Sequence, residues 1–297
     1  MIKSDLSNSC QLSKYTTLKV GGFAEFFAEP TSIDETKSLI YWAKKENISC
    51  NIIGAGSNLL ISDNLIKGLT ISIKRIHGNK FNKETGEINV NAGEPLPLLS
   101  RKAAKLGLKG LEWAVGIPGT IGGATVMNAG AQGGCINDCI ASVLVVPLDG
   151  GEEYQINRKE LNYSYRSSIL QEKQVVVLSA KLILEPGHNK KILTDITNQN
   201  LKNRTDSQPY HLPNCGSVFR NPEPLKAGRL IESVGLKGFR IGGAEISDIH
   251  ANFIVNKGNA CAEDVNKLIT LAQNRVKQEH NIELRTEIKR LGFDFKL

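Results

Sequence analysis

The sequence predicts an α+β fold, and three observations predict it. Short apolar runs bounded by Gly and Pro recur through the first two thirds of the 297 residues, with only two helical patterns among them. Two glycine-rich turns, around residues 54–58 and 116–134, interrupt that part. After Pro186-Gly187 the pattern changes to a smaller α/β unit that holds the clearest amphipathic helix of the chain. Three consecutive parts are expected, 1–77, 78–188 and 189–297, with the last strand able to return toward the first half. No internal repeat, heptad array or low-complexity segment is present.

In order, residues 13–30 read as a turn at Gly21-Gly22 followed by a strand ending at Pro30. Ser32-x-x-Glu35 is a capping box that opens a helix over 33–46, with Ile33, Leu39, Ile40 and Ala43 on one side. Strands are expected at 51–53, 59–62, 69–74 and 87–92, with a polar turn at 80–86. A helix over 96–106 places Leu98, Leu99, Ala103 and Leu106 inward. A strand at 141–147 turns at Asp149-Gly150-Gly151 and returns over 152–156, and a long strand spans 174–184. A polar helix at 192–204, an irregular stretch at 209–224 and a short helix at 229–234 before Gly235 follow. A strand at 251–256, the helix at 262–280 and a final strand at 282–291 close the chain; Val265, Leu268, Ile269, Ala272 and Val276 recur at helical spacing.

Hydrophobic residues make up 40% of the chain, ample for a core, and the net charge is +7. Lysines and arginines are scattered or paired, so the balance points to an acidic substrate or cofactor and away from nucleic acid. No apolar run reaches signal-peptide or membrane-spanning length, so no membrane association and a cytoplasmic location are expected. Six cysteines are too sparse for a disulfide scaffold, and Cys135-x3-Cys139 has no nearby histidine or second pair, so no metal site is expected.

Residues 116–134 hold seven glycines and no charge, interleaved with Ile117, Ile121, Val126 and Met127. Glycine permits close ligand approach and positive φ, and such a run lays bare N–H groups along a small surface, which suits an anion. The apolar residues make it a packed element and not a flexible linker. Gly54-x-Gly56 lacks the third glycine, the helix opening and the downstream acid of a dinucleotide fingerprint. It reads as a strand–turn–strand whose N–H groups and Ser57 hydroxyl could face a phosphate.

Seven pieces occur in one order: Thr17-Leu18-Lys19-Val20-Gly21-Gly22, Ile53-Gly54-Ala55-Gly56-Ser57-Asn58-Leu59-Leu60, Gly116-Ile117-Pro118-Gly119-Thr120-Ile121-Gly122-Gly123, Met127-Asn128-Ala129-Gly130-Ala131, Tyr165-Arg166-Ser167-Ser168, Gly216-Ser217-Val218-Phe219-Arg220-Asn221-Pro222 and Glu283-Leu284-Arg285-Thr286-Glu287. The set resembles the UDP-N-acetylenolpyruvoylglucosamine reductase family of bacterial peptidoglycan synthesis. The resemblance covers essentially the whole chain and is closest to the shorter type, which lacks a tyrosine-bearing loop. It implies a two-part FAD-binding region of the vanillyl-alcohol-oxidase type and a smaller α/β substrate-binding domain. It also implies noncovalent FAD, NADPH as reductant, UDP-N-acetylglucosamine enolpyruvate as substrate, and a monomer.

By resemblance Gly54, Ala55, Gly56, Ser57, Asn58 and Leu59, with Gly119, Thr120, Gly122, Gly123, Ala129 and Gly130, bind FAD. Hydride from flavin N5 goes to the vinyl carbon, and Arg166 steadies the substrate carboxylate as charge gathers there. Ser217 donates the proton to the neighbouring carbon, and Glu287, protonated beside that carboxylate, hydrogen-bonds it. Asn221, His250 and Asn252 would contact the substrate. On the residues alone Ser217 reads as a turn serine bonding its own backbone, and Glu287 has the alternative of a strand-face glutamate paired with Arg285 or Lys289. A flavin oxidase or dehydrogenase, or a noncatalytic UDP-sugar-binding protein, are the competing readings.

Overall fold

The computed structural model describes residues 6–293, which gather into two compact units. Of the described residues, the first holds Leu6, Ser7, Phe26–Ala55 and Gly68–Arg204; the second holds Asn8–Glu25, Gly56–Lys67 and residues 205–293. The α+β class is borne out. The boundaries expected at 77 and 188 do not separate the units, because residues on both sides of 77 share one core. Leu39, Ile40 and Ile71 pack in the same cluster as Val90, Leu99, Val145 and Leu178.

In the first unit the strands Tyr154–Asn157, Ile140–Pro147, Val175–Ile183, Glu87–Asn91 and Asn79–Phe81 form an antiparallel sheet in that order. Asn79–Phe81 lies partly where a polar turn is expected, since its backbone pairs with Ile88–Val90 whatever its side chains are. Cys50–Ile53 runs parallel to Ile66–Ser72. Helix Ile33–Lys45 is capped by Ser32, whose Oγ accepts the Glu35 N–H at 3.1 Å. Helix Leu96–Leu106 buries Leu96, Leu99, Ala103 and Ala104, while Leu98 is 60% exposed, one step of the helix away from that face. Helix Lys190–Ser207, expected in the last domain, belongs to this unit through Arg204. A Cβ on Gly116 would lie 2.4 Å from Arg204 Cδ, so the glycine lets that side chain cover the loop.

The second unit has the sheet order Asn214–Ser217, Phe253–Asn256, Ala244–Ile246, Arg240–Ile241. Helix Ala262–His280 buries Val265, Leu268, Ile269, Ala272 and Val276, the five positions that the periodicity predicts. Leu59–Ile61 pairs parallel with Lys289–Leu291. Only Lys289–Leu291 of the expected strand at 282–291 forms a ladder. Upstream, the chain makes an isolated bridge, Phe219 to Thr286. Among the described residues no helix is long and apolar enough to cross a membrane, and no cluster of three His, Cys, Asp or Glu could hold a metal.

Candidate active site

In the first unit the glycine run contains a short helix, Ile121–Val126, which the sequence reading missed because glycine is a poor helix former. Thr120 Oγ1 caps it by accepting the Gly123 N–H at 3.3 Å. The Ile121 and Gly122 amides donate inward, to Glu94 O at 2.9 Å and Ala92 O at 2.8 Å. Those three N–H groups are therefore satisfied by protein, and what they offer a ligand is close approach. A Cβ on Gly122 would press on Ala92 and Ile73 at 3.0 Å, whereas one on Gly123 would meet only Thr120 Oγ1, at 3.6 Å. Gly54 comes to the same place: its Cβ would lie 2.7 Å from Thr120 Oγ1. Gly54 and Thr120, far apart in the chain, thus meet within this unit.

Arg166 also lies in this unit, in a tight turn where Ser164 and Ser167 exchange backbone bonds at 3.1 and 3.2 Å. Its backbone is left-handed, φ +54°. Its Nη2 donates to Gly130 O at 2.6 Å and its Nη1 to Asn128 O at 3.5 Å, and the guanidinium stacks on the Tyr165 ring at 5.1 Å. Ala129 sits between those two carbonyls. A Cβ on Gly130 would come within 2.7 Å of Gly134 O and 3.2 Å of Arg166 Nη1, so glycine there lets the arginine in.

In the second unit the turn of Gly56, Ser57, Asn58 and Leu59 is fixed from both sides. Gly56 has φ +64°, and a Cβ would lie 2.0 Å from Tyr15 O, so no other residue fits. Thr17 donates its N–H to Gly56 O and its hydroxyl to Asn214 O at 2.6 Å, which links this turn to the strand that ends at Ser217. Asn58 clasps the C-terminal segment: its Nδ2 donates to Glu287 O at 3.3 Å and its carbonyl accepts the Lys289 N–H at 2.9 Å.

Ser217 stands after Gly216, φ +78°, where the ladder with Phe253–Asn256 slips. Asn214 turns the chain there, its Oδ1 accepting the Gly216 N–H at 2.9 Å. The Ser217 hydroxyl makes no hydrogen bond within the described residues. Asn252 is 4% exposed, and both ends of its amide are engaged by Phe219: Oδ1 accepts the Phe219 N–H at 2.9 Å and Nδ2 donates to Phe219 O at 2.8 Å. Asn221 Oδ1 accepts the Ala227 N–H at the start of helix Ala227–Ser233. His250 Nδ1 accepts the Asn252 N–H at 3.2 Å, so the neutral ring carries its proton on Nε2. Burial lowers the His250 pKa, and its ring packs against Phe253 at 5.0 Å.

Glu287 donates its N–H to Val218 O at 2.8 Å and lines a cavity of about 440 Å³ with Gln273, Thr286, Ile288, Lys289 and Arg290. Lys289 was not singled out from the sequence. Burial, then the Arg220 charge, depresses its pKa. Nothing in the local sequence marks it apart from its place two residues after Glu287.

A family model described as UDP-N-acetylenolpyruvoylglucosamine reductase, C-terminal domain, matches residues 208–291, and one described as FAD binding domain matches residues 24–155. The chain is 58% identical over 283 residues to the UDP-N-acetylenolpyruvoylglucosamine reductase of Prochlorococcus marinus (strain MIT 9313), covering 95% of this chain and 92% of that one. The chain belongs to the UDP-N-acetylenolpyruvoylglucosamine reductase family. The reductase of Synechococcus sp. (strain CC9605) is 56% identical over 95% of this chain and 94% of its own. The crystal structure of the Thermus caldophilus reductase superposes with a TM-score of 0.80 at 33% identity, over 96% of this chain and 98% of that one.

Members of the reductase family use FAD and NADPH. The residues of this chain fit a flavin dinucleotide. The Ala55, Gly56 and Asn58 amides take no protein acceptor among the described residues, and Gly123 leaves room for close approach.

Proposed function

We propose that Arg166, Ser217 and Glu287 carry the chemistry of this reductase. The chain is an FAD-dependent oxidoreductase that uses NADPH to reduce UDP-N-acetylglucosamine enolpyruvate in peptidoglycan precursor synthesis. The observation that supports the assignment best is the backbone bond from Glu287 N–H to Val218 O, which sets the Glu287 main chain beside the residue that follows Ser217, whose hydroxyl has no hydrogen-bond partner among the described residues.

Bound FAD supplies hydride transfer from NADPH to the vinyl carbon; the protein's residues do the rest. The turn of residues 54–59 would hold the cofactor's phosphates through backbone amides, and Gly119, Thr120, Gly122, Gly123, Ala129 and Gly130 would let it lie close to the chain. An enol ether resists hydride, so charge must be drawn into the attached carboxylate. Arg166 stabilises it there with a permanently charged planar fork. Glu287, protonated, donates a hydrogen bond to the same group. Ser217 Oγ gives its proton to the neighbouring carbon of the enol-like intermediate, whose basicity makes a weak acid sufficient.

His250 presents its Nε2–H and Asn221 its Nδ2 to substrate oxygens. Asn252, engaged by Phe219 on both amide atoms, supports binding by fixing the serine turn. A nucleotide-sugar substrate suits a cytoplasmic enzyme, and the chain is taken to act as a monomer, which light scattering after gel filtration tests.

Anaerobic reduction of the bound flavin by NADPH, followed by addition of UDP-N-acetylglucosamine enolpyruvate, tests the reading. Reoxidation by that substrate alone is expected, and Ser217→Ala should abolish it while keeping the flavin. Oxygen consumption with a small alcohol, or UDP-sugar binding without flavin reduction, would point to the competing oxidase or sensor.

A further inference from the structure

We propose that Asn128 is the positioning residue for Arg166, an inference that rests on the catalytic role proposed for Arg166 above. Asn128 lies just after helix Ile121–Val126, is 6% exposed and has φ +43°. Its side chain joins two segments. Nδ2 donates to Ser164 O at 2.9 Å, in the turn that carries Arg166, and Oδ1 accepts the Asn137 N–H at 3.0 Å. Its own carbonyl accepts from Arg166 Nη1, and that of Gly130, two residues on, accepts from Nη2.

Asn128 thus acts at both ends of the arginine: on the backbone turn through its amide bond to Ser164 O, and on the guanidinium through its own carbonyl, beside the shorter bond to Gly130 O. Neighbouring bonds hold the frame of the same turn. Tyr163 Oη donates to Thr125 O at 3.0 Å, Ser168 Oγ to Val126 O at 2.6 Å, and Gln171 Nε2 to both Val126 O and Arg166 O. A long side chain on a left-handed turn residue otherwise samples many rotamers. Stabilisation of developing charge requires the donor to be in place beforehand. Asn128 supplies that preorganisation through its amide bond to Ser164 O.

Asn128→Gly keeps the left-handed backbone and removes both side-chain bonds; Asn128→Asp keeps the shape and replaces the donor to Ser164 O with an acceptor. Both are made in the FAD-loaded protein, alone and with Arg166→Ala. Flavin reduction by NADPH should stay within about twofold of the parent, while reoxidation by the enolpyruvyl substrate slows by about tenfold or more. In the Arg166→Ala background neither substitution should slow reoxidation further. Amide exchange read by mass spectrometry should quicken about tenfold across residues 163–171 and stay unchanged in the sheet of the same unit.

Equal slowing of both half-reactions, full additivity with Arg166→Ala, or loss of FAD in both variants would overturn the proposal, because Asn128 would then serve the fold alone. Parent-like reoxidation by Arg166→Ala itself would instead remove the role assigned to Arg166.

Discussion

The backbone N–H of Glu287 donates to the carbonyl of Val218 at 2.8 Å, and the Phe219–Thr286 bridge lies beside it. Neither bond involves the Glu287 carboxyl or the Ser217 hydroxyl. Side-chain substitutions at either residue should therefore spare the pairing. Ser217→Ala and Glu287→Gln are each expected to lower kcat by about 10²–10⁴-fold, with FAD content and unfolding midpoint unchanged. Stopped-flow reoxidation and thermal melts check both. A loss confined to KM would remove the residue concerned from the chemistry.

Arg166 is held by two carbonyls and the Tyr165 ring, at a left-handed turn position. Lysine keeps the charge and loses the planar fork that can bond a carbonyl and a carboxylate together. Arg166→Lys should slow reoxidation by substrate by about 10²-fold and leave reduction by NADPH nearly intact.

Two glycines separate structural need from ligand need. A methyl on Gly56 would meet Tyr15 O at 2.0 Å with φ at +64°, so Gly56→Ala should cost about 2–4 kcal/mol in urea unfolding. A methyl on Gly123 would meet only Thr120 Oγ1 at 3.6 Å. Gly123→Ala should fold at least as well as the parent, since alanine favours helix, yet bind FAD more weakly by fluorescence titration. Parent-like FAD affinity would take Gly123 out of the cradle.

His250 has a pKa lowered chiefly by burial, and its Nδ1 accepts a backbone N–H, which the protonated ring cannot do. As the pH falls below the ordinary histidine value, the unfolded chain takes up a proton before the folded one does. Stability contributed by neutral His250 is therefore complete above about pH 6.5 and is lost as the pH falls toward the lowered folded value. Urea unfolding between pH 5 and 8, with and without His250→Gln, should show this slope only in the parent.

Most helices were legible from the sequence because their information is local. Five apolar residues at helical spacing gave the 262–280 helix, and Ser32 with Glu35 gave the start of the first one. The motifs also named Ser217, Glu287 and the residue types of the glycine turns. The sequence could not say that residues 26–55 and 68–204 share one core, since shared burial depends on which strands pair. It did not show that the Ile121 and Gly122 amides face Glu94 and Ala92, or that the Ala55, Gly56 and Asn58 amides have no protein acceptor among the described residues.

Asn128, Asn214 and Asn252 show the same division. In the sequence each is a polar residue beside a turn. In the fold each amide closes bonds to backbone far from it or across a turn, with Ser164, Gly216 and Phe219. Spacing determines which residue types are available; which backbone atoms they satisfy is decided only when buried polar groups must all find partners at once.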